Sequence, residues 1–171
     1  MGYQIFQCAT RFYIAANNVA AAMAALRALH GREPIHDSSG PHFSFVDTAA
    51  FLKANTLSEA LAAWRWDVGE LAADGSVAEL GFIGEKHGDE DILFAALAPF
   101  VQSGSHIDMF GEDGAAWRWS FEDGAMHRRS GTVHFEPVTE ANRVRLEHWP
   151  GATGRGTPRP VPSSDKEDTV L

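Results

Sequence analysis

The tetrapeptide Ala-Trp-Arg-Trp occurs twice in this chain, at 63–66 and 116–119, and holds four of its five tryptophans. Each copy is followed by an Asp-Gly turn signal, Asp74-Gly75 and Asp123-Gly124. Aromatic side chains carry large buried area, so the placement of these four decides much of any core. In a strand, residues i and i+2 share a face. The two copies therefore read as one structural unit used twice. Trp64 and Trp66 face inward with Arg65 opposite; Trp117, Trp119 and Phe121 face inward with Arg118 and Ser120 opposite. Truncating such a buried indole should cost roughly 3–5 kcal/mol. The functional alternative is an aromatic surface for a partner. Stacking of nucleic-acid bases there is disfavoured by the negative charge nearby.

The rest of the chain supplies the surrounding elements. Residues 3–14 read as a first strand. Asn17 or Asn18 caps a helix carrying Val19, Met23, Leu26 and Leu29 at helical spacing, which Gly31 ends. Residues 30–41 form a loop rich in Gly, Pro and Ser, and 43–46 a second strand. Thr56 and Glu59 make a capping box that starts a helix over 57–63. Strands over 64–71 and 77–83 flank a turn at 73–76. After a polar connection at 84–88, Asp89, Glu90 and Asp91 open an amphipathic helix through Leu93, Phe94, Leu97 and Phe100. Acids in a first helical turn complement the helix dipole by ~0.3–1 kcal/mol each. Strands at 106–110 and 117–121 and a last one within 126–135 follow. The order predicts an α+β fold, a mainly antiparallel sheet with helices on one face. The repeat suggests two ferredoxin-like halves, 1–84 and 85–149.

At 171 residues the chain is long enough for one domain with a sizeable core. We expect that domain over 1–149, with a disordered tail over 150–171 rich in Pro, Gly, Ser and Thr. The final Thr169-Val170-Leu171 loosely matches C-terminal peptides that add a strand to a partner. The only cysteine, Cys8, cannot make an internal disulfide and is expected to be a small buried hydrophobe in a reducing compartment. No basic region leads into a long apolar run at the start, and the Ala-rich stretch 15–29 falls short of a membrane span. The expected setting is cytoplasmic, with no membrane partner.

Net charge is −9 and unevenly placed. Residues 67–123 hold thirteen acids against two bases, Lys86 and Arg118, for −11. Such a surface repels nucleic acid and favours a basic protein partner. The acids expected to be exposed and partner-binding are Glu85, Asp89, Glu90, Asp91, Glu112, Asp113, Glu122 and Asp123.

Signals for chemistry are sparse. His30, His36 and His42 lie around one loop beside Asp37, but their spacing fits no metal-ligand pattern, so no metal or other cofactor is expected. His106 and Asp108 would share a strand face, where a carboxylate can orient an imidazole. With Arg118 they are the candidate ligand-binding residues of an alternative reading, a small enzyme or small-molecule-binding domain with a cleft between the halves. Phosphate loops, dinucleotide fingerprints and nucleophile elbows are absent from the sequence.

Gly84-Glu-Lys-His-Gly-Asp-Glu90, Leu93-Phe94, Ala98-Pro-Phe-Val101, Gly104-Ser, Gly111-Glu-Asp-Gly114 and Trp117-Arg-Trp119 together resemble a segment of uncharacterised bacterial and phage-associated proteins. The resemblance covers residues 80–124 and implies a prokaryotic, intracellular setting on a mobile element. No activity attaches to that group, so it transfers no functional residue. The sequence thus points first to a non-catalytic acidic interaction protein, such as an inhibitor or anti-defence protein that occupies a basic surface of a nucleic-acid-handling partner. A homodimer joined through sheet edges is a third reading.

Overall fold

The computed structural model describes residues 2–69 and 72–134. All described elements belong to the compact unit Met1–Val133. The expectations for 135–149, for the tail at 150–171 and for Thr169-Val170-Leu171 lie outside the described residues.

The chain runs β1 (Ile5–Arg11), α1 (Ala16–Arg27), β2 (Ile35–Asp37), β3 (Gly40–His42), α2 (Thr48–Lys53), α3 (Leu57–Ala63), β4 (Trp66–Asp67) and β5 (Gly81–Phe82). It continues with α4 (Glu90–Leu97), a 3-10 turn at Ala98–Phe100, β6 (Ser105–Gly111), β7 (Ala116–Glu122) and β8 (Ala125–Gly131). A four-stranded antiparallel sheet in the order β1-β6-β7-β8 is the centre of the fold. Two small hairpins, β2–β3 and β4–β5, lie outside it. This is an α+β fold. The order is a β6–β7–β8 meander with β1 added at its edge, not two ferredoxin-like halves.

Alternation along β6 and β7 sorts the sheet into an inner and an outer face. Ile107, Met109, Trp117, Trp119 and Phe121 are buried, while Arg118 and Glu122 are exposed. Helix α4 meets the inner face through Phe94, whose ring centroid lies 4.9 Å from Trp119 and 5.8 Å from Phe121. Phe12 packs edge-on to Phe121 at 5.5 Å. Helix α1 buries Ala22, Met23 and Leu26.

The first Ala-Trp-Arg-Trp copy has a different backbone from the second. The Thr56–Glu59 capping box holds, and α3 spans Leu57–Ala63 as expected. Trp64 then closes the helix, Arg65 turns into the left-handed region at φ 67°, and only Trp66 begins a strand. Both indoles are nevertheless buried. Trp64 lies 4.8 Å from Phe43, and Trp66 lies 6.3 Å from Trp119, so the two copies share one aromatic core.

Other local expectations shift. Helix α1 starts after Ala15, with no side-chain cap from Asn17 or Asn18. The 30–41 loop contains the β2–β3 hairpin, and 43–46 is a turn rather than a strand. Among the described residues the predicted pair 64–71 and 77–83 contracts to β4 and β5, and residues 70 and 71 lie outside them. Cys8 is exposed, because β1 bulges between Gln7 and Ala9.

Candidate functional site

Arg65 organises the region where the resemblance segment begins. Its Nη1 donates to the Lys86 carbonyl at 2.7 Å and its Nη2 to Glu90 Oε1 at 2.5 Å. Its guanidinium lies 5.2 Å from the Phe45 ring centroid and 5.5 Å from that of Phe82, a cation–π arrangement with two rings. Glu90 Oε2 accepts from the Gly88 N–H at 2.6 Å. Gly88 has to be a glycine: a Cβ there would sit 2.5 Å from the Ser44 carbonyl oxygen and 2.9 Å from Arg65 Nη2. Residues 84–90 therefore form a clasp around one cation, and Phe45, at φ 59°, is the second residue here in left-handed backbone.

Glu90 is thus not a surface acid. It is 1% exposed, and burial pushes its pKa above the ordinary value against the opposing pull of the Gly88 N–H and Arg65. Its neighbours are also committed. Asp89 accepts from the Ser44 N–H at 2.7 Å. Asp91 accepts from Trp119 Nε1 at 2.6 Å and from Arg128 at 3.2 Å. The acidic run that reads as a charged patch is three separate supports: one for a loop, one for a partly buried cation and one for a core indole.

The remaining acids divide between the two ends of the sheet. At one end, residues 3–5 are bracketed from both sides. The Ile5 N–H donates to the Glu85 carbonyl at 3.0 Å, and the Glu112 N–H donates to the Gln4 carbonyl at 3.0 Å. That places Glu85, Glu112 and Asp113 around Tyr3, within about two strand spacings or ~10 Å. The Tyr3 hydroxyl donates to Asp113, and this bond, with the Ala115 N–H at 2.9 Å, holds the Asp113 carboxyl below its usual range. Glu122 and Asp123 sit in the β7–β8 turn at the far end of β7, roughly 20 Å away. They belong to no common patch with the first three.

Three large apolar side chains stand open beside the first group: Phe6 at 56%, Phe45 at 50% and Ile83 at 63% exposure. A Cβ on Gly2 would lie 2.8 Å from the Phe45 ring and 3.1 Å from Lys86, which ties the start of the chain to this loop. Sequence reasoning missed these three residues, since none stands out from the core pattern.

The alternative trio lies on the outer sheet face. Arg118 grips Asp108 bidentately across the β6–β7 pair, Nε to Oδ1 at 2.5 Å and Nη2 to Oδ2 at 2.7 Å. That hydrogen bond lowers the Asp108 pKa. His106 is two residues along on the same face. A shallow groove of about 450 Å³ runs over Cys8, Asp108, Phe110, Arg118 and Arg129. The hydroxyls nearest the sheet histidines bond no imidazole: Thr10 meets the His106 carbonyl at 3.5 Å and Ser120 the His127 carbonyl at 3.4 Å. No activated nucleophile is assembled by those contacts. Among the described residues, no three His, Cys, Asp or Glu side chains are placed to hold a metal ion. No described helix is long and apolar enough to cross a membrane.

No family model matches this chain, and no curated protein or solved structure does either.

Proposed function

We propose that this chain is a non-catalytic interaction protein that occupies a basic protein surface with the face built on residues 83–88. The observation that carries the reading is the bracketing of residues 3–5, which gathers Glu85, Glu112 and Asp113 beside exposed Phe6, Phe45 and Ile83. Exposed apolar side chains set among charges are a common composition of a protein-binding face. The carboxylates steer a basic partner and fix its register; the apolar side chains supply the burial. A nucleic-acid-handling protein presents such a basic surface, and the likeness to phage-associated sequences fits an inhibitor or anti-defence role.

The test uses the immobilised full chain and a partner recovered from a bacterial host. Retention should fall as salt rises from about 0.05 M to about 0.5 M. The E85Q/E112Q/D113N variant and the I83D variant should each lose the partner, while E122Q/D123N keeps it. Equal retention by the triple variant, or an equal loss with E122Q/D123N, would overturn the reading.

A further inference from the structure

The outer sheet face carries a second feature that the docking reading does not use. Strand register sets Arg11 opposite His106, His106 opposite Ser120, and Ser120 opposite His127. Directly opposed residues on antiparallel strands point to the same side, with Cβ atoms about 5 Å apart. One row of four side chains therefore crosses all four strands, about 14 Å from end to end. Every member offers a hydrogen-bond donor. Arg11 and His127 are exposed and His106 is half-exposed, and among the described residues the three side chains have no hydrogen-bond or ion-pair partner. Ser120 is 5% exposed on an otherwise open face, because it is small and sits between two imidazoles. Its hydroxyl has only the long 3.4 Å contact to the His127 carbonyl.

The carboxylates that could neutralise the row are occupied. Asp108, one row away, is gripped bidentately by Arg118. Glu122, one row away on the other side, pairs with Arg129 at 3.4 Å. In a chain of net charge −9, this is a local concentration of donors whose nearest carboxylate, Asp108, feels His106 but is held by Arg118.

We infer that the row Arg11–His106–Ser120–His127 is a binding site for a phosphate-type oxyanion. A planar carboxylate has two acceptor atoms in one plane. A tetrahedral phosphoryl group seated over Ser120 offers three free oxygens, in reach of the imidazoles about 5 Å to either side and of the longer Arg11 guanidinium from the next strand. The site lies on an open sheet, so it accepts either free phosphate or a phosphoryl group carried on a larger molecule.

Calorimetric titration of the full chain tests this in two arms, with inorganic phosphate and with a phosphoserine peptide set against its unphosphorylated form. Saturable binding of phosphate with a Kd of about 1 mM is expected. Tighter binding of the phosphopeptide identifies a carried phosphoryl group as the ligand; equal binding identifies the free ion. R11Q and H127Q alter exposed side chains, so both variants should keep the parent melting temperature while weakening phosphate roughly tenfold each. No saturable heat with either probe up to about 20 mM, or binding unchanged in both variants, overturns the inference.

Discussion

At the scale of single residues, the polar side chains of this protein mostly have structural work. Trp119 buries its ring against Phe94 and still satisfies its N–H on Asp91. Arg118 and Asp108 show the same economy on the outer face. Because the bidentate bond from Arg118 lowers the Asp108 pKa, the folded state binds this proton more weakly than the unfolded chain. Its stabilisation is therefore complete above the ordinary carboxylate value of about 3.9 and is lost as pH falls through the lower folded value. Glu90 has the opposite sign: its raised pKa means its contribution is present at acid pH and declines as pH rises through the folded value. The two are separable by mutation. Asp108→Asn should flatten the fall in melting temperature below about pH 4 while leaving the Glu90-dependent slope above it. An unchanged acid limb in this variant would show that the pair contributes nothing to stability.

Among the elements, legibility follows how local the determining interaction is. Strands β6 and β7 were readable because alternation is written into the residues themselves, and one buried face follows from it. Helix α3 was readable because Thr56 and Glu59 cap it within a single turn. In the first Ala-Trp-Arg-Trp copy alternation does not operate, because α3 is still ending at Trp64. Arg65, just past the end of α3, adopts left-handed backbone with its side chain held by Glu90, Lys86, Phe45 and Phe82, all about twenty residues away. The β4–β5 hairpin depends on a similarly distant contact. The Gln7 amide donates to the Leu80 carbonyl at 2.9 Å and accepts from the Phe82 N–H at 2.6 Å, standing in for a backbone partner on the free edge of β1. Gln7→Ala should cost about 1–3 kcal/mol by leaving those groups unpaired. Hydrogen exchange at the Phe82 amide should quicken in the variant more than at β6 amides. Uniform quickening across both would mean the glutamine supports the whole sheet rather than this junction.

For the molecule as a whole, the question is how its negative charge is divided. The excess over 67–123 was legible in the sequence, and its placement was not. Glu90 and Asp91 look alike as first-turn acids of a helix, and nothing near them announces that a guanidinium from residue 65 buries one of them. Nor does spacing along the chain reveal that residues 3–5 run between Glu85 and Glu112. The carboxylates fall into two sets: Glu90 holds the fold, while Glu85, Glu112 and Asp113, the last held through Oδ1 by Tyr3 and Ala115, are the ones proposed to meet a partner. Urea unfolding separates the sets. Glu90→Ala leaves Arg65 partly buried without its counter-charge and the Gly88 N–H without its acceptor, at a cost of about 3 kcal/mol. E85Q/E112Q/D113N, which alters exposed side chains, should lose far less than Glu90→Ala. If Glu90→Ala unfolds at the same urea concentration as the parent, or the triple variant falls as far as Glu90→Ala, the division is wrong.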